Sequence, residues 1–313
     1  MDPTPTTAGR SALYVGGRSY PGNPDAERDI EEIRRSDFDT IFIWSIHVEV
    51  ENPEKGRRDG DLVYNDVPII SNGEYIGDNR WPALLERLKR AGKGAAAKRV
   101  EVSVGSGEVH DWTHIRDLML KYGTAPVADN PLRVNFETLL RVTRADALNS
   151  DNEDCYDGGS AKAFAEMVRQ IGYDHFTFTP YTREDYWADL KRELGDYVDR
   201  AYIQCYSGGK RNAYAKKLKE WSRKLGGMNV YPGLWCKHQA TKNDQTCSKG
   251  DEPGDMKRTL RSWVDQGAPI EGGFVWLHDD IKRCEQADPG WTVAQYAKAV
   301  NEGTKPKATM AHA

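Results

Sequence analysis

The chain has 313 residues, room for one large domain or two ordinary ones, and its 44 basic against 48 acidic side chains give a net charge of −4. That balance argues against nucleic acid as the natural partner, and no run of the sequence approaches the roughly 20 consecutive apolar residues that span a bilayer. The opening residues 1–7 lack the basic and apolar regions of a signal peptide, which leaves a cytoplasmic protein or a secreted one whose signal has been removed.

In chain order, residues 12–16 read as a short buried strand ended by Gly16 and Gly17, and Asn23-Pro24-Asp25 begins a helix with Ile30 and Ile33 on its apolar side. Residues 39–46, β-branched and aromatic, make a strong second strand. A long polar excursion comes next, and within it residues 61–77 alternate with turn signals as a small hairpin or meander. Residues 81–91 are helical, with Leu84, Leu85 and Leu88 on one stripe. The third strand covers 99–106, and helical pieces at 110–122 and 135–142 flank a break containing proline and asparagine. The fourth strand runs from Asp146 toward Asp154. After it helices at 161–170, 183–194, 212–225, 255–266 and 292–300 alternate with strands at 175–179, 200–206, 229–235 and 273–277.

Eight strands, each followed by a helical segment and with no linker-like shift in composition, fit one α/β domain better than two. The expectation is a single (β/α)8 TIM barrel over residues 11–303, with a β-hairpin excursion after the second strand, a flexible N-terminus at 1–10 and a flexible tail at 304–313. Within that fold the fourth strand stands out. Alternation along a strand sends Asn149, Asp151 and Glu153 to one face, and polar groups at every second position are costly to bury. At the C-terminal end of a barrel strand that face opens onto the mouth, where active sites of this architecture lie.

The spacing Asp146, Asn149, Asp151, Glu153 resembles the DxxDxDxE motif that glycoside hydrolase family 18 carries at the end of its fourth strand. Three further places agree in order. Ser103-Val104-Gly105-Ser106 stands where the family has SxGG, Tyr206 of Gln204-Cys205-Tyr206 where it has a tyrosine facing the substrate's acetamide, and Trp276 where a tryptophan floors the central sugar subsite. The loop at 235–255 leaves no room for the α+β insertion of processive chitinases. The similarity is therefore to the shallow-cleft branch of chitinases and endo-β-N-acetylglucosaminidases.

The resemblance implies a retaining glycosidase acting on N-acetylglucosamine-containing glycans by substrate assistance, in which the 2-acetamido oxygen replaces an enzyme nucleophile. Glu153 is then general acid and base, Asp151 orients the acetamide, and Tyr206 donates a hydrogen bond to it. Asn149, Gln204, Trp276, Ser103, Tyr181 and Trp235 are the candidate substrate-binding residues, with Ser103 shaping the barrel interior and Asn229 a further candidate at the mouth. A raised pKa is expected for Glu153 beside Asp151, since like charges disfavour double ionisation. Two departures bear on activity: Asn149 replaces the motif's second aspartate, and an amide cannot share a proton as a carboxyl can; Ser106 replaces the last glycine of SxGG.

Two competing readings follow. One is a non-catalytic, lectin-like carbohydrate-binding protein on the same barrel; the other is a hydrolase with a divalent cation held by Asp151, Glu153 and Asp154. The first reading calls for no metal and no cofactor, a glycan as partner, and a monomer. No CxxC or His-x-x-x-His spacing supports zinc. Of the five cysteines, Cys236 and Cys247 bracket a polar loop and could close it, the alternative being five free thiols. Trp44 and Trp112 are assigned to the core. His47, His110 and His278 are read as ordinary polar residues, and the lysines at 216, 217 and 224 as a solvated helix face.

Overall fold

A computed structural model describes residues 10–89, 97–123 and 130–306. Its centre is a closed barrel of eight parallel strands. In chain order these are β1 (Arg10–Val15), β2 (Thr40–Val48), β6 (Arg99–Val104), β7 (Ala147–Ser150), β8 (His175–Phe178), β9 (Val198–Gln204), β10 (Tyr231–Trp235) and β11 (Gly272–Trp276). Each pairs with the next, and β1 pairs with both β2 and β11, which shuts the ring and leaves it no free edge. The excursion after β2 is a short antiparallel meander, β3 (Leu62–Tyr64), β4 (Val67–Ser71) and β5 (Glu74–Tyr75), hung on the end of β2 through the pairs Ile46–Tyr64 and Val48–Leu62.

Helices α1 (Ala26–Arg34), α2 (Trp81–Lys89), α3 (Asp111–Tyr122), α4 (Pro131–Thr143), α5 (Gly158–Ile171), α6 (Glu184–Leu194), α7 (Ala215–Lys224), α8 (Pro253–Asp265), α9 (His278–Cys284) and α10 (Val293–Gly303) accompany the strands. Their boundaries follow local chemistry. Asn130 accepts hydrogen bonds from Leu132 N and Arg133 N with Pro131 at the first helical position, so the proline-containing break opens α4 four residues before the expected start. Asp157 and Thr292 cap α5 and α10 in the same way. The helix α9 has no counterpart in the sequence reading: it is short, and six of its seven residues are buried, so no exposed face marks it as amphipathic. The end of the expected helix at 81–91, and most of both expected flexible termini, lie outside the described residues. Arg10 already belongs to β1, opposite Gly272.

The barrel interior is polar at two levels. Near the strand N-termini, Glu101 is fully buried and receives hydrogen bonds from Tyr202 (2.9 Å) and Thr177 (2.5 Å) while pairing with Arg99 at 2.7 Å. Halfway up, the register sets Ser103, Asn149 and Thr177 side by side on three adjacent strands. An aromatic cluster in which Tyr14 stacks on Phe42 at 4.1 Å and meets Phe274 at 5.4 Å shares the interior with these levels. Phe274 has room there because Gly233 faces its ring: a Cβ at that glycine would collide with it.

Candidate active site

Asp151 follows β7, and its N–H donates to Val104 O (3.0 Å), extending the ladder one residue beyond the strand. The chain then turns around Asn152, whose side-chain oxygen accepts from Asp154 N (3.2 Å) and Cys155 N (3.0 Å). That turn lifts Glu153 to the rim of the barrel. Asp154 points away from it, accepting from Trp112 N and Thr113 N at the start of α3. Its two oxygens are thus spent on a helix N-terminus and leave no common site with Asp151 and Glu153 for a cation. Among the described residues no cluster of histidine, cysteine and carboxylate side chains has the form of a metal site.

Gln204, last residue of β9, joins the two carboxyls. Its Nε2 donates to Glu153 Oε1 (2.9 Å), to Asp151 Oδ1 (3.3 Å) and to Thr179 O (3.1 Å). Burial pushes the Asp151 carboxyl well above the usual range, and the negative charges of Glu153 and Asp111 add to it; Trp44 opposes. Burial likewise raises Glu153, against the hydrogen bond from Gln204. Two carboxyls in this setting do not ionise together cheaply. Tyr206 faces both, and its phenol is held strongly protonated by burial first and by the two carboxyls second.

These groups converge on a cavity of about 320 Å³ at the C-terminal end of the strands, lined by Ser106, Gly107, Asp151, Glu153, Tyr181, Gln204, Tyr206, Ser207, Gly208, Trp235 and Trp276. Trp276 and Tyr206 lie nearly parallel, 5.9 Å apart, and Trp44 meets Trp276 edge-on at 4.6 Å. Trp235 is held in place by its N–H to Asp280 (2.8 Å) and by the His238 ring stacked on it at 3.9 Å. Gly105, with φ +99°, lets the backbone of residue 151 approach, where any Cβ would strike Asp151 O. A larger cavity of about 910 Å³ lies between the loop after β2, the β4–β5 turn and α4, and contains neither Asp151 nor Glu153.

Seven of the expected site residues therefore surround one cavity: Asp151, Glu153, Tyr206, Gln204, Trp276, Tyr181 and Trp235. Asn149 and Ser103 do not reach it. Both are fully buried one layer down, where Asn149 Oδ1 accepts from Ser103 (2.8 Å), Thr179 (3.0 Å) and Tyr14 (3.2 Å), and its amide donates to Thr177 (2.8 Å). Asn149 is thereby satisfied without Asp151. Asn229 precedes β10 and is exposed at the opposite end of the barrel from the mouth.

Trp44 packs against the aromatic core cluster of the barrel, at the mouth end of β2 and in the same inward phase as Phe42, and meets Trp276 without itself lining the cavity. Trp112 is buried as expected, donating to Val104 O. Neither alternative for the cysteines holds: Cys236 and Cys247 are not bridged, and the five are not all free thiols. Cys236 is a buried thiol directed at Leu277 O, and the disulfide joins Cys247 to Cys284 with Cα atoms 5.8 Å apart. The loop after β10 doubles back, with His238 pairing antiparallel to Lys249, and this carries Cys247 to α9.

No protein-family model and no curated protein matches the sequence. The backbone does match solved structures over nearly its whole length. A fungal endo-β-N-acetylglucosaminidase from glycosyl hydrolase family 18 superposes with a TM-score of 0.63 at 14% identity, covering 94% of this chain and 96% of that one. The fold is that of the family 18 glycosidases. The family 18 chitinase from Pseudoalteromonas aurantia (TM-score 0.58, 14% identity, 93% and 100% covered) and the catalytic domain of the hyperthermophilic chitinase from Pyrococcus furiosus (0.59, 12%, 96% and 96%) match over comparable lengths. At these identities the likeness speaks for the family 18 fold, and the site must be argued from its own side chains.

Proposed function

We propose that this protein is a retaining glycoside hydrolase that cleaves N-acetylglucosamine-containing glycans with the help of the substrate's acetamide. The observation that carries the reading is the single amide of Gln204 bridging Asp151 and Glu153 in a cavity walled by Tyr206 and Trp276. The sugar stacks on Trp276. Glu153, whose pKa burial raises, gives its proton to the glycosidic oxygen as the C1–O bond breaks and the acetamide oxygen bonds to C1. Asp151 accepts the acetamide N–H and stabilises the oxazolinium-like ring, with Tyr206 donating to the same group. Water then adds at C1 as Glu153 takes back a proton, and the acetamide is restored.

The competing reading, a lectin-like protein, draws on Asn149, which holds no proton that Asp151 can borrow. One experiment separates them. The protein is incubated with chito-oligosaccharides and with a high-mannose N-glycopeptide, and released sugar is followed by mass spectrometry. Turnover of either substrate is expected, falling roughly 10²–10⁴-fold in Glu153→Gln, the range a positioned general acid supplies. Binding of both glycans with no release by the unaltered protein would leave the lectin.

A further inference from the structure

The segment between β10 and α8 is built around one side chain of the cavity. Trp235 is the last residue of β10 and the one residue of that strand not fully buried; it stands in register with Trp276, the last residue of β11. The Tyr206 ring lies 5.9 Å from both indoles. One face of Trp235 is covered by the His238 imidazole, 3.9 Å away and 13° from parallel. Its N–H donates to Asp280 Oδ2 (2.8 Å), and the other oxygen of that buried carboxyl accepts from Arg283 (2.6 Å). An indole pinned by its N–H and by one face, and lining a cavity, keeps the rest of its surface for a ligand.

The parts that hold Trp235 are themselves held. His238 Nδ1 lies 2.9 Å from Cys236 O, and the His238 backbone exchanges two hydrogen bonds with Lys249 (3.0 and 3.2 Å). Asp251 N donates to Trp235 O at 2.9 Å. Between these strands Asp244 gathers the turn, accepting from Ala240 N, Thr246 N and Ser248 N. Cys247, in that turn, is bridged to Cys284 on α9, the helix that carries Asp280 and Arg283. The bridge therefore ties the segment that supplies the stacking partner of Trp235 to the helix that supplies its hydrogen-bond acceptor.

Granting the reading above, we propose that residues 236–252 form a specificity loop that holds Trp235 as the floor of a second sugar subsite beside the one on Trp276. His238 and Asp280 are its positioning residues, and the Cys247–Cys284 bridge is the clamp between them. The substrate class is then an oligosaccharide that lays two consecutive N-acetylglucosamine-type rings on the two tryptophans, not a single terminal sugar. A pyranose with equatorial substituents presents a face of C–H groups, which is the surface an indole takes. Ordering a loop on binding subtracts from affinity, and a platform clamped beforehand avoids that loss.

The test compares N-acetylglucosamine with N,N′-diacetylchitobiose by ligand-observed NMR titration, which reaches weak affinities, on full-length protein carrying Glu153→Gln so that the dimer is not cut. The dimer is expected to bind about tenfold or more tighter than the monomer, and a further Trp235→Ala to bring the two within about twofold. His238→Ala, and separately reduction of the bridge, should each cut the dimer-to-monomer ratio about threefold or more. The ratio is the readout because a partly unfolded protein loses both ligands alike. Equal affinities in the starting protein, or a ratio unmoved by Trp235→Ala, overturn the second subsite. A ratio lost in Trp235→Ala but kept after both His238→Ala and reduction overturns the holding role of the loop. Binding of neither sugar overturns the glycan reading and this inference with it, whereas binding with an unmoved ratio overturns this inference alone. If Trp235→Ala does not fold, Trp235→Leu, closer in volume, takes its place.

Discussion

At the scale of the residue, the site is governed by how few donors serve its carboxyls. Gln204 Nε2 carries two hydrogens for three acceptors, and it opposes the burial that pushes Glu153 upward. Replacing it by leucine leaves the carboxylates without their shared donor, an unsatisfied buried acceptor costing about 1–3 kcal/mol. Gln204→Leu should therefore lower kcat roughly 10–100-fold and move the alkaline limb of the pH–rate profile upward, because Glu153 then holds its proton more tightly. Steady-state kinetics from pH 4 to 9 would check it, and an unchanged limb would assign Gln204 to substrate contact alone. Asp151 and Glu153 were legible from their two-residue spacing, and so was Tyr206, two residues past Gln204. Ser103 does shape the barrel interior, as read; the depth of Asn149 was not legible, because period-two alternation says that a side chain faces inward and says nothing of its depth. Asn149, Asp151 and Glu153 share a phase, yet the first lies in the buried polar layer, the second above it and the third beyond the ladder.

At the scale of the element, the alternation of strand and helix was the part of the fold most readily read, since eight short apolar runs at regular spacing admit few other arrangements. What sequence could not give was the route of the loop after β10. Cys236 and Cys247 are close along the chain, but disulfide geometry depends on where the Cβ vectors point, and the antiparallel return through His238 and Lys249 sends Cys247 toward α9. The bridge to Cys284 spans a separation of 37 residues and ties the loop that follows Trp235 to the helix that follows Trp276. Closing a loop of that length contributes about 4 kcal/mol by the chain-entropy estimate. The Cys247→Ser, Cys284→Ser double variant should unfold several degrees lower than the parent in calorimetry, and reductant should lower the parent to match it while leaving the variant unmoved. Equal melting temperatures with and without reductant would mean that the bridge does not constrain the chain.

At the scale of the whole molecule, the site is a place where the barrel gives up stability. Asp151 is 2% exposed, and burial together with its neighbours' charges raises its folded pKa well above the ordinary carboxylate value. For an acid raised in this direction the folded state binds more protons than the unfolded state between the two pKa values, so stability falls as pH rises through that window. Below the unfolded value of about 4 the penalty is absent, and it grows as the pH rises toward the raised folded value. An amide of the same shape carries no such penalty. Asp151→Asn should accordingly lose turnover while melting higher than the parent at pH 7, by an amount equivalent to at least about 1 kcal/mol for each unit of pKa shift removed. The advantage should shrink steadily as the pH is lowered to 4. Calorimetric scans of both proteins at pH 4, 5.5 and 7 test this directly. A variant that melts below the parent at every pH would mean that Asp151 is held charged by partners strong enough to outweigh its burial.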